Sequence, residues 1–272
     1  MTRSRANRKQ VVWAVSSLML LASMISISTT ATADASSDTW TYSANIYLWG
    51  AGIDATTQTG GDIDISFSDI LDNLDMAFMG GFAARKGKWS LFADAIYMDI
   101  SASDGGSEAI PNLGGAINIT RTIDAEVKME SWITTLGAGY NVVDNEKATL
   151  DLIGGARYLW LDTEIKLNLK RDGVLLETSR QIKASESDDV WDGVVGIKGR
   201  INLNDKWYMP YYADVGTGGS DLTWQVLAGI GYIFEWGDVL LAYRYLDYDF
   251  DSGFMLKDMN ISGPALGAKF YF

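Results

Sequence analysis

The side chains here that could do chemistry are carboxylates and cations, spaced singly within otherwise uncharged runs. Asp94, Asp151, Asp192 and Asp214 each stand in such a run, and so do Arg157, Lys198, Arg200, Arg244 and Lys269, with Gln225 as a neutral companion. A pair of carboxylates can act as acid and base in glycoside-type hydrolysis, and this is the one enzymatic chemistry the composition leaves open. The 272 residues include no His and no Cys. That removes Ser-His-Asp triads, His-ligated zinc, thiolate nucleophiles and the usual base near neutral pH. A second acidic group is Asp247, Asp249, Asp251 and Asp258, at places 1, 3, 5 and 12 of a would-be calcium loop. The motif wants Gly at the sixth place and Glu at the twelfth, where this chain has Ser252 and Asp258, so a strand end with alternating acids competes with it. The acids at 54, 62, 64, 69 and 72 lie in a stretch, 51–84, without Lys or Arg, and could hold divalent cations loosely. Glycine pairs at 80–81, 105–106 and 154–155 follow no phosphate-binding pattern.

The positions of these charges follow a period of two. In Lys147 to Thr163, the residues Leu150, Leu152, Gly154, Ala156, Tyr158 and Trp160 carry no charge, whereas Asp151 and Arg157 occupy the opposite register. Successive strand side chains point to opposite faces, so the charges share one face of a strand. Trp191 to Leu203 repeats the pattern, with Asp192, Lys198 and Arg200 set against Trp191, Val195, Ile197 and Ile201. Further alternating runs are Trp40–Trp49, Met76–Arg85, Trp89–Ile100, Asp124–Val143, Trp207–Gly216, Leu222–Glu235, Val239–Phe250 and Met259–Phe272. This makes ten strands, with eight as the alternative if two are merged. Short polar turns (Lys86-Gly87-Lys88, Asp144-Asn145-Glu146, Asn204-Asp205-Lys206, Trp236-Gly237-Asp238) alternate with long connections.

The last strand is the most specific stretch. Phe272, Phe270, Ala268, Leu266 and Pro264 form one uncharged register, while Lys269 lies in the other. A terminal strand closing on Phe272, with Phe270 two before it, resembles the C-terminal signature of Gram-negative outer-membrane β-barrels. The resemblance implies an all-β fold, a transmembrane antiparallel up-and-down barrel, with Phe270 and Phe272 read by the barrel-assembly machinery. It also implies contact with outer-membrane lipid and lipopolysaccharide. Barrel enzymes of that class rely on an essential His, which this chain lacks.

The N-terminus agrees with export. Arg3, Arg5, Arg8 and Lys9 precede a serine-interrupted apolar run and then Ala31-Thr32-Ala33, which predicts a signal peptide over 1–33, with cleavage after Ala35 as the alternative. The barrel domain is then 34–272, and its net charge moves from −13 to about −17. Nucleic acid is excluded as a partner of so acidic a chain. No later run is long enough for a transmembrane helix, and lipid leaves a closed barrel as the other spanning structure.

A mid-strand carboxylate facing hydrocarbon is costly, so the charged register is expected to face the lumen. There it forms either a salt-bridged polar core or the wall of a narrow selective pore passing small solutes. Three connections are expected to be long: 51–75, 101–123 and a strand extension over 162–187 that turns at Asp172-Gly173. In the first, Phe67 to Leu74 reads as a short helix capped by Ser68 at the barrel mouth, or as an ordinary turn. Glu126, Lys128 and Glu130 share a register with Trp132 and Leu136, which calls for a bulge or for the membrane edge near Glu130. The functions compatible with this pattern are a porin-like or envelope-structural barrel and, alternatively, a surface interaction protein acting through its long loops. No cofactor is called for.

Overall fold

The computed structural model describes residues 39–111, 118–172 and 178–272. The predicted signal peptide over 1–33 lies outside the described residues. The described residues form twelve strands: β1 Thr41–Trp49, β2 Gly52–Thr57, β3 Asp62–Ile65, β4 Leu74–Lys86, β5 Trp89–Pro111, β6 Asn118–Asp144, β7 Ala148–Asp172, β8 Thr178–Asn202, β9 Trp207–Gly218, β10 Leu222–Ile233, β11 Asp238–Asp249 and β12 Leu256–Tyr271. A single helix, α1, spans Phe67–Asn73 among the described residues.

Ten of the strands close a barrel. β4 to β12 pair in sequence, each antiparallel to the next, and β1 bonds both β4 and β12 to seal the ring. The remaining two are an addition that the sequence pattern did not reveal. β1 breaks at Gly50, whose N–H donates to the Pro264 carbonyl (2.8 Å), and β2 continues along the same edge of β12 before β3 folds back on it. Residues 51–75 are therefore a hairpin plus α1 rather than a plain loop. Ser66, not Ser68, caps α1. Its side chain accepts from the Asp69 N–H while the Asp69 carboxylate accepts from the Ser66 N–H, a reciprocal arrangement that satisfies two orphan donors at the helix start.

The turns near the chain termini are tight for local reasons. Gly87 sits at φ +55°, where a β-carbon would be strained. The side chains of Asn145 and Asn204 each accept two backbone N–H groups just downstream, the Asx-type bonding that favours Asn in turns.

The outer face is apolar. Leu48 is 73% exposed and Val195 62%, and Ile46, Leu241 and Leu266 are exposed as well. Two aromatic rows bound this belt. Trp89 packs on Tyr140 and Trp207 on Tyr232 near the short turns; Tyr97 packs on Trp132 and Trp224 on Tyr245 near the opposite end. In β5, β6 and β10 the two rows are eight residues apart, at 89 to 97, 132 to 140 and 224 to 232. At about 3.4 Å per residue and a tilt near 40°, that spacing covers about 20 Å along the membrane normal, close to the height of a lipid-facing barrel belt. Glu130 pairs with Asp99 and Asp162 one step beyond the upper row, in an uninterrupted ladder. The membrane edge thus explains the charges near Glu130. The bulge of β6 lies elsewhere, between Asn141 and Val143.

Residues 101–123 are not a loop over their whole length. β5 runs 14 residues past Tyr97 to Pro111, and β6 to β8 extend with it as one four-stranded sheet beyond the belt. At about 3.3 Å per residue the extension is about 45 Å of strand. The tips at 112–117 and 173–177, including the predicted turn at Gly173, lie outside the described residues.

Inside the barrel the half away from the short turns is an apolar core. Ile96, Ile133, Leu159, Leu246, Tyr248 and Ile261 are at most 2% exposed. Phe254 folds back from the β11–β12 connection to stack on Phe250 (4.1 Å), which stacks on Tyr248 (5.3 Å). Ile70, the buried residue of α1, joins this cluster.

Small residues make room for the larger lumen rings. A β-carbon on Gly231 would collide with the Tyr208 ring. Gly231→Val should therefore displace Tyr208 and cost about 1–3 kcal/mol, read as a lower denaturation midpoint of the refolded barrel; an unchanged midpoint would mean that Tyr208 is not held there.

Candidate functional site in the charged lumen

The barrel wall dictates where each charge goes. Asp94 opposes Gly81 and Thr135; Asp151 opposes Lys198; Arg157 opposes Asp192; Asp214 opposes Gln225 and Gly196; Arg244 opposes Leu227 and Gly263; Lys269 opposes Asn45 and Asp238. All of these belong to the register opposite the exposed Leu, Ile, Val and Trp side chains. They sort into three groups.

The first centres on Arg157, whose side chain is wholly buried. It ion-pairs with Asp214 and donates to Thr223 (3.0 Å) and Thr135 (3.3 Å). Tyr212 donates its hydroxyl to the same Asp214 oxygen. Asp192 accepts from the Ser220 backbone N–H (2.8 Å). A guanidinium carries five donors in a planar fork, so it can hold one carboxylate and two hydroxyls at once.

The second group lies around Arg244. Its guanidinium ion-pairs with Asp94 (2.9 Å), donates to Tyr47 (2.8 Å) and makes two bonds to Gln225 Oε1 (2.8 and 3.2 Å). Tyr47 in turn donates its hydroxyl to Asp94 (2.8 Å), which closes a ring of three partners. The Trp49 ring lies 4.9 Å from the guanidinium, a favourable cation–π distance.

The third group is nearest the short turns. Asp151, 2% exposed, is held by Arg85, by Asn141 (2.8 Å) and by Ser90 (3.3 Å). Asp238, 1% exposed, accepts from Tyr208 (2.7 Å) and from Tyr271. Lys198 stands over the Phe92 ring (3.9 Å), Lys269 over Tyr271 (5.0 Å) and Arg200 over Tyr208 (5.4 Å).

Asp238 belongs to this last group as the first residue of β11, not to the turn where the sequence pattern puts it. Tyr47, Arg85, Thr135 and Thr223 also serve these networks without having been singled out by type or spacing. For two of them strand parity was the available signal: Tyr47 lies on the polar face of β1 with Asn45, and Thr223 shares a register with Gln225.

The four acids of the would-be calcium loop do not share a loop. Asp247 and Asp249 lie in β11, with Asp249 opposite Asp258 of β12, and Asp251 accepts from the Gly253 N–H (2.7 Å). Asp247 instead takes bonds from Tyr245 and Asn260 (both 3.3 Å). Among the described residues no group of three or more acids comes together as a metal site. Phe270 faces outward beside Trp236 (5.6 Å), and Phe272 is exposed.

A closed antiparallel barrel of ten strands, with an apolar outer belt between aromatic rows and its charges turned inward, has the architecture of a transmembrane β-barrel, the kind found in Gram-negative outer membranes. No protein-family model matches the chain, and no curated protein matches it either. Among solved structures, the chain is similar to the translocator domain of the autotransporter NalP from Neisseria meningitidis at 16% identity and TM-score 0.39, over 98% of this chain and 96% of that one. It is also similar to Ail, the attachment invasion locus protein of Yersinia pestis (12% identity, TM-score 0.31, 87% and 100% covered). The Pseudomonas putida toluene transporter TodX matches at 8% identity and TM-score 0.27, over 85% and 88% of the two chains. The likeness is one of architecture.

Removing one partner of a buried ion pair leaves a bare charge, whereas removing both leaves none. Asp214→Asn should cost about 3–5 kcal/mol, and Arg157→Met with Asp214→Leu should cost less than that single change. Chemical denaturation of the refolded barrel measures both; a double variant as unstable as the single one would contradict the pairing.

Proposed function

We propose that this barrel is a non-conducting, non-enzymatic envelope protein that acts at the cell surface through the sheet formed by the extended β5 to β8. The observation that carries the proposal is the filled outer half of the lumen. A selective pore needs a continuous wet path lined by polar groups, and the apolar cluster from Ile96 to Ile261 lies across that path. The long strands support the second half of the proposal. About ten residues suffice for a tilted strand to cross the bilayer, yet β5 to β8 contain 23, 27, 25 and 25. The excess is surface on the outer side, which is available to a partner. Outer-membrane lipid and lipopolysaccharide lie against the apolar belt in this reading, and Phe270 with Phe272 serves assembly.

Carboxylate-based catalysis finds less support. A hydrolytic pair needs one acid kept protonated and one left ionised. Here Asp94 and Asp214 are each engaged by an arginine, Arg244 and Arg157 respectively, so both are committed to structural ion pairs.

Planar-bilayer recording of the refolded protein should give no discrete steps, and regular conductance steps would restore the pore reading. Trimming β5–β6 beyond Ser103 and Glu126, and β7–β8 beyond Glu164 and Ser185, should leave heat-modifiable gel migration intact. The same trimming should abolish binding of protein-expressing cells to surfaces or to other cells; binding that survives it would assign the interaction to another part of the barrel.

A further inference from the structure

We propose that the lumen next to the short turns is a binding site for a small oxyanion of the phosphate class, entered from the periplasmic side. Four cations, Arg85, Lys198, Arg200 and Lys269, share this region with two carboxylates, Asp151 and Asp238. The acids are the buried members, at 2% and 1% exposure, and each is already saturated by protein donors: Arg85, Asn141 and Ser90 for Asp151, Tyr208 and Tyr271 for Asp238. The cations are half-buried and reached by solvent, with the Arg85 side chain 34% exposed. Lys198 and Lys269 are direct cross-strand neighbours of Asp151 and Asp238. Even so, among the described residues no carboxylate lies within ion-pair distance of Lys198, Arg200 or Lys269. Their partners are the aromatic faces of Phe92, Tyr208 and Tyr271.

These cations also feel one another. Lys198 lies in the field of Asp151 first and then of Arg85 and Lys269, and Lys269 in that of Asp238 first and then of Arg200 and Arg85. Like charges gathered in a narrow, partly desolvated space repel, and a barrel lumen with low-dielectric walls focuses that field on any mobile counter-ion. The excess over the two acids is two positive charges, which matches a doubly charged oxyanion. Ammonium and guanidinium groups are the side chains that recognise such groups. Above the site lie the Arg244 and Arg157 networks and the apolar core, which separate it from the outer surface proposed above. The surrounding protein is strongly acidic, with net charge −13 over the whole chain. The inward gathering of cations is therefore a local feature and not a reflection of composition.

The test is calorimetric titration of inorganic phosphate into the refolded barrel in a neutral, lipid-free detergent. Saturable binding near one equivalent is expected. Lys198→Met with Lys269→Met should weaken it at least tenfold, whereas Lys88→Met with Lys206→Met, exposed on the short turns, should not. Lys198→Arg with Lys269→Arg, which keeps the charge, should retain it. A second readout is independent of ligand: without phosphate, the Met pair should unfold at the same temperature as the parent or higher, because two desolvated ammonium groups are removed. In vesicles, a site that takes free phosphate binds it equally with and without an anionic phospholipid. Competition by that lipid would instead identify a headgroup as the natural source of the same chemistry. Absence of saturable binding, or binding unchanged in the lysine-to-methionine pair, would overturn the proposal.

Discussion

Backbone pairing in hydrocarbon is the constraint on which the rest depends. Lipid offers no hydrogen bonds, so each N–H and C=O crossing the belt must find a partner within the protein. The seam between β1 and β12, from Ser43 with Tyr271 to Trp49 with Ala265, is where the chain meets that demand. It joins the first strand to the last, which makes the barrel an all-or-none object. Once the seam forms, the parity of every strand is set and so is the side on which each charge falls.

Closure also creates the interior problem. A ten-stranded ring encloses more than backbone, and its lumen is filled in two different ways. On the side of the long strands the filling is apolar, as in a soluble core, and α1 contributes Ile70 to it. Towards the short turns it is charged, and there the polar groups hold one another. The Arg157–Asp214 and Arg244–Asp94 pairs are each surrounded by hydroxyl and amide partners. Buried charges survive when the remaining donors are satisfied too, which two isolated ion pairs would not achieve.

The two ends therefore differ in kind. The outer end carries β5 to β8 out beyond the aromatic row and closes the lumen beneath them. The inner end has short turns and leaves Lys198, Arg200 and Lys269 on aromatic faces rather than on carboxylates. Surface interaction at one end and anion capture at the other can coexist because the apolar core and the arginine networks separate them.

Much of this was legible in the amino-acid order alone. Alternation with a period of two is a local property, and it assigned Asp151, Arg157, Lys198, Arg200 and Arg244 to one face and Leu152, Val195 and Leu241 to the other. Turn chemistry is local as well, so the four short connections could be read from Gly87, Asn145, Asn204 and Gly237. The apolar lumen could not, because near Ile96, Leu159 and Leu246 both registers are hydrophobic and parity carries no contrast. The β2–β3 hairpin was hidden for a related reason: its strands are short and acidic, and they exist because β12 offers them an edge. Nor could spacing show that Asp214 would meet Arg157 from two strands away, or that Lys198 would find Phe92 and no acid. Those meetings depend on curvature and closure, which bring distant strands across a lumen, and only the folded barrel has one.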